Sequence, residues 1–205
     1  MKILTLPVGE LATNCYVVTD ENGTAAIIDP GDDAAAIRRV LEDEHVHVGG
    51  ILLTHGHFDH IGAVNALVAD HRFPVFCHTL EQPALRDSHL NLSAYFGSPI
   101  PPITEIRCVE DGGEVTVGEL TFRVLHTPGH TVGSVCYQLD TMLFAGDTLF
   151  CESIGRTDFP GGDMRAMRSS LARLAALDGN TRVFPGHGEP TTVLHEQQYN
   201  PYLAR

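Results

Sequence analysis

His55-Gly56-His57-Phe58-Asp59-His60 is the stretch on which the reading of this chain turns. Three imidazoles and a carboxylate fall within six residues, directly after the apolar run Ile51-Leu52-Leu53-Thr54. A short run that is apolar throughout suits a strand buried on both faces. The hexapeptide then occupies the loop at the strand's C-terminal end, where open α/β sheets place their sites. In an extended loop side chains alternate, so His55, His57 and Asp59 are expected to project to one side. His60 falls at the start of the next helix, signalled by Ile61, Val64, Leu67 and Val68 at helical spacing, and can point back to the same cavity. Imidazole nitrogen and carboxylate oxygen suit first-row metals, and a cluster this dense can serve more than one ion.

Four ligands do not complete a two-metal site, and the chain supplies further ones three times. Each lies at a strand end beside a glycine: Thr127-Pro128-Gly129-His130-Thr131, Phe144-Ala145-Gly146-Asp147-Thr148 and Phe184-Pro185-Gly186-His187-Gly188. The small residue lets the backbone turn sharply and aim one polar side chain inward. A lone His or Asp after a strand is ordinarily a turn or cap residue. Three in succession downstream of the first motif point to one shared centre.

Outward from these motifs the chain alternates strands and helices. Runs at Ile3 to Val8, Cys15 to Thr19 and Ala25 to Asp29 are β-rich and separated by turns such as Glu21-Asn22-Gly23. Asp32 or Asp33 is expected to cap a helix with Ile37, Val40 and Leu41 on its apolar face, and Gly49-Gly50 to end that unit. Pro74 to Cys77 returns as a strand, and Leu80 to Thr104 reads as a long irregular segment suited to a binding loop or lid. Strands follow near Glu114-Val117, Leu120-Leu125, Ser134-Leu139, Met142-Ala145 and Thr181-Phe184. A loop from Thr148 to Gly162 leads into a helix bearing Met164, Met167, Leu171 and Leu174. No linker divides the chain, so residues 1–205 are expected to form one α/β domain, layered in the α+β sense, with two packed sheets and helices outside.

Composition narrows the function. Hydrophobic residues make up 43% and charged residues 19% of the 205, as in ordinary folded proteins. The net charge of −13, from 26 acidic against 13 basic residues, is the reverse of what phosphate neutralisation requires, so no nucleic acid is expected as partner. Twelve histidines spread from His45 to His195 without a run, which excludes a tag and favours metal chemistry. The five cysteines, Cys15, Cys77, Cys108, Cys136 and Cys151, form no CxxC and read as buried reduced thiols. The start, Met1 to Pro7, is too short an apolar run for a signal peptide and no later segment could span a membrane, so no membrane partner and a cytoplasmic location are expected.

At these residues the chain resembles the metallo-β-lactamase superfamily, and within it the short, single-domain glyoxalase II-like (hydroxyacylglutathione hydrolase-like) enzymes. The resemblance runs from Asp29-Pro30-Gly31 to Pro185-Gly186-His187-Gly188 and implies an αββα four-layer sandwich. It implies that His55, His57 and His130 hold one divalent metal, that Asp59, His60 and His187 hold a second, and that Asp147 bridges them. Zinc comes first among the metals, with iron or manganese open. Asp29 matches an acidic position that supports a ligand from behind. The implied reaction is hydrolysis of a small-molecule thioester such as S-lactoylglutathione by a hydroxide shared between the metals, with Asp59 orienting it. An acidic bridge at Asp147 is unlike the zinc β-lactamases, and His57 is unlike the flavodiiron branch.

Two features bear on substrate. The segment Ser153 to Asp163 resembles the Gly-Arg-Ser/Thr-Asp-Phe loop of short glyoxalase II-like proteins, and the stretch His195 to Leu203 resembles their ends. Gly155-Arg156-Thr157-Asp158-Phe159 equally fits persulfide dioxygenases, which use one iron, and lactonases share the ligand set. Arg156 is the candidate contact for an anionic substrate group, or else pairs with Asp158 to brace the loop. No counterpart of the C-terminal helical domain with which larger glyoxalase II enzymes hold glutathione is expected, and the chain's single lysine is Lys2, so a thioester other than a glutathione one stays open. His126 reads as a supporting group, and His45, His47, His71, His78, His89 and His195 as surface or core residues. Tyr95-Phe96 either lines the pocket or packs in the core.

Overall fold

Strict alternation along neighbouring strands sets the architecture. In β2 (Thr13–Thr19), after β1 (Lys2–Val8), Val17 points to one face while Tyr16 and Val18 point to the other. In β3 (Thr24–Ile28), Ala25 and Ile27 face one way and Ala26 and Ile28 the other. All seven side chains are buried, so both faces of this sheet must be covered. The structure, a computed structural model, describes residues 1–69 and 73–203. The expectation for His71 lies outside them.

The first sheet has the order β1-β2-β3-β4-β5-β6, completed by β4 (His47–Leu52), β5 (Val75–His78) and β6 (Ile106–Val109). β1 to β3 are antiparallel and β3 to β6 parallel. The second sheet has the order β12-β11-β10-β9-β8-β7, made of β7 (Glu114–Val117), β8 (Leu120–His126), β9 (Val135–Leu139), β10 (Met142–Gly146), β11 (Arg182–Pro185) and β12 (Thr191–Thr192). Its pairs are antiparallel except β10 with β11.

Three apolar clusters define four layers. Between the sheets lie Tyr16, Ile28 and Leu52 against Phe122, Tyr137, Phe144 and Phe184. On the outer face of the first sheet, Val17, Ile27 and Ile51 meet Ile37 and Leu41 of α1 (Ala34–Asp43), Ile61 of α2 (Phe58–Ile61), and Val64 and Leu67 of α3 (Val64–Ala69). The short helix α4 (Gln82–Arg86) adds Leu85 to that cluster. On the outer face of the second sheet, Cys136, Leu143 and Val183 meet Met167, Leu171 and Leu174 of α5 (Met164–Leu174) and Val193 of α6 (Val193–Tyr199). The order helix, sheet, sheet, helix is the layered α/β arrangement expected. Among the described residues no helix is long and apolar enough to cross a membrane.

The structure departs from the sequence expectations at several points. Gly49-Gly50 does not end a unit but lies inside β4, at a register irregularity against β3. A Cβ on Gly49 would stand 2.7 Å from Val117 of the facing sheet, so the glycine lets the two sheets approach. Asp33 takes the N-cap position of α1 without capping it, because its carboxylate accepts the Gly9 N–H at 3.0 Å instead. The stretch from Leu80 to Thr104 carries α4 and short 3₁₀ turns at Thr79–Glu81 and Ser93–Phe96. The strands β6 and β12 and the helix α6 were not signalled by periodicity, being too short or too polar to register. Only Cys15, Cys77 and Cys136 are buried thiols, while Cys108 and Cys151 are exposed.

Phe144 is fully buried, stacks on Phe184 at 5.1 Å and meets Tyr16 edge-on at 5.3 Å. Truncation there leaves a cavity that both sheets line. Phe144→Ala is expected to lower unfolding stability by about 3–5 kcal/mol, read from the urea midpoint.

Candidate metal centre

The loops that follow β4, β8, β10 and β11 converge at one end of the sandwich, and they bring all seven sequence-predicted ligands together. Three groups of ligand atoms form, with all atoms of a group within 4.8 Å of one another: His55, His57 and His130; His55, His60 and Asp147; and Asp59, His60 and His187. His57 Nδ1 and His130 Nε2 face each other at 2.8 Å. Asp59 Oδ2 lies 3.4 Å from His60 Nε2 and 3.2 Å from His187 Nε2. Asp147 stands between the groups: Oδ1 is 3.3 Å from His60, and Oδ2 is 3.5 Å from His130 and 3.7 Å from His187.

Local conformation explains this sorting and corrects one expectation. Alternation does not carry through to Asp59, because the extended backbone ends at His57, which occupies the N-cap position of α2 with φ −71° and ψ 149°. Asp59 and His60 sit on that helical turn. The switch from period 2 to 3.6 turns Asp59 away from His57 and toward His187. Gly186 is demanded by crowding rather than by a turn alone, since a Cβ there would meet Asp147 Oδ1 at 2.2 Å and His60 Cε1 at 2.8 Å.

Four of the five rings are fixed by bonds on their outer nitrogens. His60 Nδ1 lies 2.9 Å from Asp29 Oδ2, His130 Nδ1 2.7 Å from the Arg156 carbonyl, and His187 Nδ1 3.2 Å from the Leu11 carbonyl. A carboxylate or carbonyl only accepts, so each of these rings carries its proton on Nδ1. The Thr54 hydroxyl donates to Asp29 Oδ2 at 2.6 Å, which leaves its oxygen to accept from His55 Nδ1 at 3.1 Å. Each Nε2 is therefore aimed inward as a lone-pair donor. His55 Nε2, His60 Nε2 and Asp147 Oδ1 are buried with no hydrogen-bond partner. Orphaned polar atoms are costly in a protein interior. A cation among them would relieve that cost, so this donor set fits divalent metal.

The charges around the centre favour the same conclusion. Burial pushes the His55 imidazole well below its usual range, with His60 and His130 adding to the effect, and it brings His57 down to about 3. Burial works against the charged forms of His60 and His187 too, but Asp59 and Asp147 face both rings and hold them above the usual value. Burial would raise Asp59 and Asp147, yet the facing imidazoles outweigh it and keep both carboxyls ionised. The two carboxylates thus favour positive charge at His60 and His187, the place that a bound dication would fill.

The structure also names supports that the sequence did not. Glu81 is buried, and its carboxylate accepts from Gly56 N at 2.7 Å, Gly133 N at 2.8 Å and Thr131 Oγ1 at 2.7 Å. It thereby ties the His55–His57 loop to the His130 loop. Thr13 Oγ1 donates to Asp59 Oδ2 at 2.9 Å. Neither residue stands in a local pattern, and each acts across dozens of residues, so no sequence signal reveals them. Asp29 supports from behind as expected, holding both Thr54 and His60.

The remaining candidates separate clearly. The Arg156 guanidinium forms a two-point pair with Asp158 at 2.7 Å for both bonds and lies 3.9 Å from the centre of the Phe159 ring. The Phe159 ring in turn meets His57 edge-on at 5.7 Å. His126 stacks on His78 at 4.2 Å and bonds the Val132 carbonyl, away from the seven ligands. Tyr95 and Phe96 are 69% and 60% exposed, so they are not core; Phe96 stacks on Phe58 beside the ligand loop at 4.5 Å.

Two measurements test these supports. In Asp29→Asn the amide NH₂ must stand either at Oδ1, against the Thr54 N–H, or at Oδ2, against both the Thr54 hydroxyl and the His60 N–H, so at least one bond is lost. Metal affinity, read by chelator competition, is expected to fall by about 10–100-fold. The two-point hydrogen bond from Arg156 holds the Asp158 carboxyl at about 2. In Arg156→Ala, NMR titration of Asp158 is expected to shift upward toward the ordinary value of about 3.9.

With this geometry in view, the likeness to known proteins is specific. Residues 8–187 match the metallo-beta-lactamase superfamily. An uncharacterized protein of Mycobacterium leprae is 38% identical, with 99% of each chain covered. The hydroxyacylglutathione hydrolase GloC of Haemophilus influenzae is 34% identical, covering 99% of this chain and 98% of its own. Among solved structures, the BLEG-1 B3 metallo-beta-lactamase superposes with a TM-score of 0.94 at 41% identity, covering 100% of both chains. TTHA1623 in a di-iron-bound form gives 0.89 at 39%, covering 98% of this chain and all of its own. ETHE1 from Myxococcus xanthus gives 0.84 at 30%, covering 98% and 84%. A fold, a ligand set and a near full-length likeness that agree in this way make the chain a member of the metallo-beta-lactamase superfamily.

Proposed function

We propose that this chain is a two-metal hydrolase of small thioesters. The observation that carries the reading is the inward aim of seven nitrogen and oxygen donors, with Asp147 set between two groups of them. His55, His57 and His130 would hold one ion, Asp59, His60 and His187 the other, and Asp147 would serve both. Zinc suits the nitrogen-rich set, and the di-iron form of TTHA1623 keeps iron open. When bound, such ions supply Lewis acidity and bring the pKa of water to about 7.

The chain's own residues do the rest. The outer bonds from Asp29, Thr54, Arg156 and Leu11 keep the imidazoles in one tautomer and orientation. Asp59 has one oxygen shared by Thr13 and His187, which leaves its other oxygen to orient a water or hold a proton. The Phe58–Phe96 stack and the Phe159 ring offer apolar surface beside the ligands for the body of a substrate. Arg156 keeps an exposed guanidinium edge that could steer an anionic group. The net charge of −13 supports a small-molecule substrate over nucleic acid.

The thioester is favoured by the name of the GloC relative, whose length this chain spans almost fully. The name of BLEG-1, at 41% identity, favours a β-lactam instead. Metal-loaded protein is expected to hydrolyse S-lactoylglutathione. Asp147→Ala should lose most of that turnover together with bound metal, and His57→Ala should behave alike. Full activity in Asp147→Ala would overturn the two-metal scheme. Turnover of a chromogenic cephalosporin without thioester turnover would move the assignment to β-lactams. Oxygen uptake with glutathione persulfide would move it to the dioxygenase.

A further inference from the structure

A second cluster of metal-binding side chains lies outside the centre just described. Cys151, Glu152 and His195 each offer a ligand atom, and the three atoms lie within 4.8 Å of one another. His195 Nε2 stands 3.0 Å from Glu152 Oε1. Cys151 and His195 line a shallow cavity of about 370 Å³ together with Thr191 and Thr192. Two of its walls therefore carry donors and the remaining space is open to water.

The cluster is built rather than incidental. Glu196 is fully buried, and its carboxylate accepts from the Glu152 backbone N–H at 2.9 Å, the Thr191 hydroxyl at 2.6 Å and Asn200 Nδ2 at 2.8 Å. Asn200 also donates to the Ser153 carbonyl at 3.0 Å. These bonds lock the Cys151–Glu152 turn against α6, the helix that presents His195. Glu152 itself has φ +56°, a left-handed conformation that a non-glycine residue adopts only when its surroundings impose it. The cost of bringing the three donors together is thus met by the fold before any ligand arrives. Glu152, Glu189 and Glu196 all lie close enough to Cys151 to act on it electrostatically, which favours a dication. Arg182, also in the cavity wall, has its guanidinium 5.0 Å from the centre of the Phe184 ring.

We propose that Cys151, Glu152 and His195 form a peripheral site for a thiophilic divalent cation of the zinc, cobalt or cadmium type, with water completing the coordination. Thiolate, imidazole and carboxylate in one set of three select such ions over magnesium or calcium. On binding, the thiol proton leaves to solvent and the neutral His195 ring carries its one proton on Nδ1, so that sulfur, Nε2 and a Glu152 oxygen each donate a lone pair to the ion. The site is independent of the reaction assigned to the main centre.

Sulfur makes it separately visible, because none of the seven ligands at the main centre is a cysteine. Protein whose main centre is filled with zinc is titrated with cobalt, and the sulfur-to-cobalt charge-transfer absorption in the near ultraviolet is followed. The expected result is a band that saturates at one further equivalent. Cys151→Ser should lose it, His195→Ala should shift it to higher cobalt, and Cys108→Ser, which alters the other exposed thiol, should leave it unchanged. Absence of the band at tenfold excess cobalt, or its survival in Cys151→Ser, would overturn the proposal. Circular dichroism of the Cys151→Ser protein, matching the parent, secures the reading against misfolding.

Discussion

Five imidazoles and two carboxylates gathered at one end of an apolar sandwich impose the constraint on which the rest of the structure depends. Each ring has two nitrogens, and the fold provides acceptors for one of them at His55, His60, His130 and His187. The other nitrogen is turned toward a shared centre where protein atoms alone leave His55 Nε2, His60 Nε2 and Asp147 Oδ1 unpartnered. Burying such groups is unfavourable unless something answers them. The surrounding loops are arranged so that a cation can, and this requirement governs where the chain turns and what it packs.

The sandwich supplies the rigidity for that arrangement. Its inner core of Tyr16, Phe122, Phe144 and Phe184 fixes the two sheets against each other, and the ligand loops emerge from both. Tyr16 shows how core and site are joined: its ring packs on Phe144 while its hydroxyl donates to the Pro185 carbonyl at 2.6 Å, beside Gly186 and His187. Glu81 performs the same service on the other side, holding the His55–His57 loop to the His130 loop. A buried carboxylate satisfied by three donors stabilises one spacing between those loops and penalises others.

Arg156 illustrates how one residue serves the centre in a way its type does not announce. Its side chain pairs with Asp158 and covers Phe159, while its backbone carbonyl accepts the His130 N–H. The loop that bears it is thus a brace for a ligand, whatever else the guanidinium meets. A similar economy joins the two candidate metal sites, since the loop running from Asp147 also carries Cys151, and the Phe150 ring between them meets His187 edge-on at 5.9 Å.

Much of this was legible in the amino-acid order. The order of strands and helices already implied two packed sheets with helices outside, and the residues of β2, β3 and β10 that face both the inner and the outer clusters agree with it. The types and order of the seven ligands, from His55 to His187, are explicit in the motifs, because metal ligation demands particular atoms close to strand ends. The family resemblance already implied how those ligands divide, but only tertiary structure supplies the physical reason, since Asp59 leaves the extended alternation for a helical turn where α2 packs onto the first sheet. Tertiary structure alone placed Thr13 on Asp59, Glu81 on Gly133 and Glu196 beneath Glu152. These contacts join residues tens of positions apart and leave no local periodicity, so only the folded chain brings their charges and donors into reach.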